Sequence, residues 1–253
     1  PGLEGQWSER HLTAPMNSLR ILAGPGQPAM MGMRIGDRSI DGGAQYVRRT
    51  ESGGEDQWWL RAGLGFGLTE DWEVGVLFLP FKFRPEFEFA NVTVAITRGF
   101  RFDHFDLGLR FSFQTPSFKA YDLAEFAFNP GVPFLYRAGP ARFDAALLVP
   151  IEARDWSVGL NAPVRVSLSL SPRFFVAVES GLVEPRFGTR GDTALPLAAL
   201  LGYSELFGNK VFDFTASFAW DDFWLLAPPS GRDAVDLGRY RVGFGIVSHV
   251  LVR

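Results

Sequence analysis

Gln57–Leu79 reads QWWLRAGLGFGLTEDWEVGVLFL. Trp58, Leu60, Ala62, Leu64, Phe66 and Leu68 alternate with Trp59, Arg61, Gly63, Gly65 and Gly67. After the polar Thr69-Glu70-Asp71 the alternation resumes, with Trp72, Val74, Val76 and Phe78 against Glu73 and Gly75. Period-two patterning about a minimal polar turn specifies a β-hairpin. The second face is not the Lys/Glu/Thr surface of a soluble sheet but Gly mixed with single charges. Segments of about ten residues with one apolar face and one Gly-plus-charge face suit strands placed between lipid and a crowded polar lumen.

Outward from this hairpin the same unit recurs. Pro1–Asn17 is polar and unpatterned, a tail expected to lie on the periplasmic side, and residues 18–253 form the barrel domain. A kinked first strand is expected from Ser18 to about Asp37, followed by a long Gly-rich, charged loop over 38–56. Further strands are expected over Phe87–Arg98, Phe105–Gln114, Ala124–Tyr136, Arg142–Ile151, Val164–Leu170, Phe174–Leu182, Leu195–Tyr203, Val211–Trp220 and Arg239–Val252. Pro130 and Pro133 cannot donate ladder hydrogen bonds, so a break or bulge is expected there. With the hairpin's two, the count is twelve. Short connections (69–71, 99–104, 137–141, 171–173, 204–210) alternate with mostly longer ones (38–56, 80–86, 115–123, 152–162, 183–194, 221–238). Short periplasmic turns opposite longer extracellular loops are the asymmetry of an antiparallel up-and-down transmembrane β-barrel, and an even count puts both ends on the short-turn side.

Composition narrows the alternatives. The chain holds 25 Phe, 7 Trp and 5 Tyr, spread without a compositional boundary. Its net charge of −3 and lack of basic runs give no footprint for nucleic acid. Nearly all positive charge is Arg, the lysines being Lys82, Lys119 and Lys210. A soluble β protein guards its edges with Lys. There is no Cys, which excludes disulfides and thiolate metal sites. No apolar run approaches a membrane-spanning helix. The chain starts at Pro1 without a signal h-region and is taken as a mature or trimmed product. A β-sandwich would give the same alternation. The Gly-rich, Lys-poor polar faces, the turn/loop asymmetry and aromatics at both strand ends favour the membrane barrel. Those aromatics are Trp72, Phe105, Phe174, Tyr203 and Phe212 at the short-turn end and Trp58, Phe78, Phe113 and Trp220 at the loop end.

At this point the sequence resembles the Gram-negative outer-membrane β-barrels. The hairpin LRAGLGFGLTEDWEVGVLFLP, a strand ending Gly-X-Thr-Glu/Asp-X-Trp and re-entering as E-V-G-V, is similar to hairpins of small barrel families that include solute transporters. It also fits barrels that anchor envelope-spanning assemblies such as motility complexes. The resemblance implies an outer-membrane location. One departure is the end, His249-Val250-Leu251-Val252-Arg253, where such barrels commonly carry a terminal aromatic residue.

Histidine-based catalysis lacks a constellation: His11 is in the tail, His104 in a short turn, and His249 near the short-turn end. No enzyme activity, cofactor or metal is expected. Gly63-x-Gly65-x-Gly67 lies on a strand and opens no helix, so it is no nucleotide fingerprint. Asp221-Asp222 and Glu51…Glu55-Asp56 could bind a cation at the surface, but no metal-ligand spacing supports that and they read as solvated loop charge. The residues expected to line the lumen are Arg61, Glu73, Glu88, Asp106, Arg110, Glu125, Arg142, Asp144, Arg165, Glu179, Asp213 and Arg241, seven acids against five arginines. Twelve strands about 4.8 Å apart, tilted about 40°, give a backbone diameter of roughly 24 Å and a passage of about 12 Å where Gly lines it. Two functions fit this pattern. One is a passive channel or uptake barrel for small solutes. The other is a non-conducting barrel docking envelope partner proteins through its tail and loops.

Overall fold

The computed structural model describes residues 38–48 and 57–250, apart from 70, 85–87, 90–91, 104, 116–125, 172, 185, 188–192, 208–209, 227, 229–232 and 239, and apart from some side chains within strands. Among the described residues, twelve long strands carry the fold. They are β1 (Arg38–Arg48), β2 (Gln57–Gly67), β3 (Trp72–Arg84), β5 (Val92–Arg101), β6 (Phe105–Gln114), β7 (Ala127–Ala138), β8 (Ala141–Leu148), β11 (Leu160–Ser169), β12 (Phe174–Glu184), β13 (Ala194–Phe207), β14 (Lys210–Leu225) and β15 (Tyr240–Val250). Three two-residue pieces, β4 (Glu88–Phe89), β9 (Ile151–Glu152) and β10 (Ser157–Val158), belong to the connections. All pairings are antiparallel, and sequential long strands are neighbours. β15 returns to pair with β1 from Arg38↔Val250 to Arg48↔Tyr240. β8 pairs with both β7 and β11, so every long strand has two neighbours and the ring closes.

Alternation sorts the side chains between the two faces. In β6 Asp106, Gly108, Arg110 and Ser112 are buried, whereas Phe105, Leu107, Leu109 and Phe111 are exposed. The ring is thus inverted relative to a soluble barrel: its apolar residues point out, as Val166, Leu168, Val178, Leu201, Phe214, Phe244 and Ile246 also show. A water-facing surface does not carry apolar exposure on this scale, and lipid is the solvent that accepts it.

Eleven of the twelve expected strands coincide with observed ones. The expected strand over 18–37, and the domain division at residue 17/18, lie outside the described residues. The expected loop over 38–56 is corrected in its first part, because Arg38–Arg48 is β1. Its Gly and Asp residues resemble a turn locally, yet they pair on both sides, Asp41 with Gly63 and with Val247. Two complete ladders override weak local propensity. Other strands outrun their expected ends. β3 continues through Pro80 to Arg84, β13 to Phe207 and β14 to Leu225. Pro80 is tolerated because it falls at a register shift, Leu60↔Phe81 being followed by Ala62↔Phe78. The break or bulge expected at Pro130 and Pro133 takes the form of a short gap in the β6 ladder at Val132 and Pro133, without a bulge, and Pro130 stays paired with Phe111. β7 runs through both, and the β6–β7 register resumes unshifted at Arg110↔Gly131 after Leu107↔Phe134.

The surface inversion generates a direct comparison between Leu109 on β6 and Leu237 in the 226–239 connection, each 55% exposed. Arg on the lipid face near the bilayer midplane costs about 2–4 kcal/mol, falling to about 0–1 near the interface. Leu109→Arg is expected to lower folding stability in bilayers by that larger amount and Leu237→Arg by the smaller. Equal losses in urea titrations of liposome-folded protein would contradict the orientation.

Candidate functional site: the barrel interior

Glu125 lies outside the described residues, as do the side chains of Arg61 and Glu88. The other nine charged residues of the expected set, Glu73, Asp106, Arg110, Arg142, Asp144, Arg165, Glu179, Asp213 and Arg241, are all buried. Register gathers five of them on one wall. Asp144 of β8 sits opposite Arg165 of β11, which sits opposite Glu179 of β12, giving a row of alternating sign. Arg142, two residues before Asp144 on the same face, donates from Nε to its Oδ1 at 2.6 Å. Arg165 Nε is 3.6 Å from Glu179 Oε1. The row continues through Leu135 of β7 to Asp106 of β6. A charge taken from water is tolerated when opposite charges surround it, and the Arg fork serves several carboxylates at once.

Away from this wall the pairing is more local. Arg241 of β15 pairs with Asp221 of β14, and Ser204 Oγ donates to Asp213 Oδ1 across the β13–β14 hairpin. The Asp221 pairing corrects the reading of that residue as solvated loop charge, because β14 extends past Trp220 and brings Asp221 beside Arg241. Glu73 and Arg110 flank Thr97 on one register row and attract each other electrostatically.

The interior also holds groups that charge counting overlooked. Thr93, Thr97, Ser112, Asn129, Asn161 and Ser204 are buried and polar. Ala177, Ala198, Leu200 and Ala219 form an apolar patch on β12–β14 with Phe175 packed against it. Phe175 lies opposite Gly202, and a methyl group there would come within 2.0 Å of its ring. The signal for all of these was inward parity, independent of charge.

Outside the barrel, aromatic side chains cluster near both strand ends. Tyr46 packs on Trp58 at 5.0 Å and on Tyr240, which stacks on Phe218 beside Trp220, toward the loop end. Phe174 packs on Tyr203, Phe102 on Phe105, and Phe207 on Phe212 toward the short turns, where Arg98 lies over the rings of Trp72 and Phe100. Phe113 packs on Phe126 and Phe128. The side chain of Phe78 lies outside the described residues, as do His11, His104 and the side chain of His249.

At the loop end, the 149–159 and 185–193 connections are tied together. Arg186 Nη2 reaches Asp155 at 2.6 Å and Glu152 at 3.5 Å, and Phe187 N–H donates to Val158 O at 2.8 Å. Hydrogen bonds from Ser157, aided by Arg186, hold the Asp155 carboxyl below its ordinary pKa.

No protein-family model matches the chain, and no curated protein matches it. Solved structures match its fold. The KdgM porin shares 9% identity with a TM-score of 0.55, over 85% of this chain and 99% of that one. The NanC porin shares 11% identity with a TM-score of 0.55, over 85% and 100%. An outer membrane channel from Pseudomonas putida F1 shares 10% identity with a TM-score of 0.57, over 86% and 96%. At these identities the likeness is one of fold, and the fold is that of the outer-membrane β-barrels.

Two outcomes follow from the interior and the mouth. Removing one member of a buried ion pair costs about 3–5 kcal/mol where no water replaces it. Asp144→Ala is therefore expected to lose that much in detergent unfolding, and Arg142→Ala,Asp144→Ala less than the sum of the two single changes. Strict additivity would show that the pair is not coupled. For Asp155, the folded pKa lies below the unfolded one, so the contact's contribution is present above the ordinary Asp value and is lost as pH falls through the lower folded value. A carbon-detected NMR titration should place its midpoint below that of a free Asp, and Ser157→Ala should raise it more than Arg186→Ala. The reverse order would assign the shift to the ion pair instead.

Proposed function

We propose that this barrel is a passive outer-membrane channel for small polar solutes, acting without catalysis. The observation that carries the reading is the closed twelve-strand ring, apolar outside, with charged and polar side chains of both signs and glycines inside. Arg forks that satisfy carboxylates hold the wall together, and the same polar groups give passing solutes partners to exchange for water. The row Asp144–Arg165–Glu179 forms one side of the pathway and the apolar Phe175–Leu200 patch the neighbouring side. A solute with a polar edge and an apolar face suits such a wall. The aromatic clusters at the strand ends set the barrel's depth in the bilayer. The likeness to porins and a channel supports the reading at the level of fold. The KdgM porin has also been seen in complex with disordered oligogalacturonate, and sugar acids are a solute class that an Arg-bearing wall would accept.

The test is single-channel recording of the purified chain in planar bilayers. The parent is expected to give discrete conductance steps with weak ion preference, the interior signs being nearly balanced. Arg165→Gln leaves Asp144 and Glu179 facing a neutral side chain, so the reversal potential should move toward cation preference. A chain that inserts but gives no current would contradict the channel and favour the docking barrel.

A further inference from the structure

We propose that Arg98 holds the phosphate of a periplasmic-leaflet phospholipid, in a site on the outside of the barrel at the short-turn end of β3, β5 and β6. Parity puts Arg98 on the lipid face. Along β5 it follows the exposed Val94 and Ile96, whereas the intervening Thr93, Ala95 and Thr97 are buried, and Arg98 is itself exposed. Its register partners are Trp72, the first residue of β3, and Leu109 of β6. The guanidinium therefore stands at the rim of the apolar band, with Ile96 opposite Phe111 on the side of the bilayer interior. A cation there is not solvated by hydrocarbon, so its partners come from the protein or from lipid headgroups.

The protein supplies only part of what Arg98 needs. Its Cζ lies 5.7 Å from the centroid of the Trp72 ring and 5.2 Å from that of Phe100. Ring faces attract the charge and fix the guanidinium, but they offer no oxygen to its N–H groups. Among the described residues no carboxylate forms an ion pair with Arg98, Asp71 of the adjoining turn included. Arg173, exposed at the same end, shows the contrary arrangement: its Nη1 is 3.3 Å from Glu205 Oε2 and 3.4 Å from the Tyr203 hydroxyl. A guanidinium held in place without an anion presents a fork that matches phosphate oxygens bidentately. At this depth the abundant anion is the headgroup phosphate, and the acyl chains of the same molecule have Ile96, Leu109 and Phe111, all exposed, to run over. The inference rests on the outer face and does not require that the barrel conduct.

The test uses the full-length chain folded in maltoside micelles, with isotope-labelled arginine and dihexanoylphosphatidylglycerol as the probe. Arg98→Lys identifies the Arg98 Nε–H resonance by deleting it, and the other arginine resonances report that the variant is folded. In the parent that resonance is expected to move downfield and saturate as the probe is added, while that of Arg173 stays in place. Dihexanoylglycerol, which lacks the phosphate, should leave it unmoved, and inorganic phosphate should move it only at far higher concentration. As a second reading, native mass spectrometry should show Arg98→Gln retaining the first phosphatidylglycerol about fivefold more weakly, the worth of one interfacial cation, with Arg173→Gln unchanged. A resonance that does not respond, or that responds equally to dihexanoylglycerol, overturns the proposal. So does equal retention of lipid by Arg98→Gln and the parent. An equal response to inorganic phosphate overturns the lipid assignment and gives Arg98 to a free anion.

Discussion

Everything in this structure depends on closing the backbone hydrogen-bond ladder. In hydrocarbon an unpaired N–H or C=O has no water to turn to, so a sheet that crosses a bilayer must have no free edge. Twelve strands meet that demand through the return of β15 to β1 and the double pairing of β8. The same demand explains where prolines fall. Pro80 and Pro196 coincide with register shifts. Pro133 and Pro163 sit where partner pairs are missing between β6 and β7 and between β8 and β11. Pro196, unable to donate, still accepts a hydrogen bond at its carbonyl from Ser180 Oγ. Where backbone groups approach too closely for a side chain, glycine stands: a methyl on Gly181, whose φ is +155°, would meet Ala162 O at 2.5 Å.

Closure turns one face of every strand inward, and that face is divided. From β8 to β12 the register places opposite charges side by side, so that Asp144, Arg165 and Glu179 alternate in sign and Arg142 meets Asp144. From β12 to β14 the wall is small and apolar around Leu200. Across β2, β3 and β5 it is mostly glycine, alanine and threonine. The interior is thus bounded by walls of different chemistry, the charged wall adjoining the apolar one at β12.

Much of this was legible in the sequence, because period-two alternation is a strong signal wherever both faces are chemically distinct. Phe105–Gln114 was read residue for residue. Strand β1 was not, since IDGGAQ carries turn residues and only its two flanking ladders make it a strand. Strand ends were underestimated where a proline or an acid suggested a loop, as at Pro80 and Asp221. Parity showed which charges face inward, but not which meet. Asp144 and Arg165 are neighbours only because the 149–159 connection returns β11 beside β8. Arg241 finds Asp221 only through the β14–β15 register. Neutral interior residues such as Leu135 and Phe175 carried no mark beyond their parity.

The central claim is that one face of each strand meets lipid while the other faces a closed interior. Its most direct measurement is fluorescence from single cysteines introduced at positions 107 to 112 of β6 in this cysteine-free chain, labelled with a small fluorophore and folded into brominated lipid. The account predicts strong quenching at 107, 109 and 111 and weak quenching at 108, 110 and 112. Uniform quenching along the strand, or the opposite alternation, would contradict it.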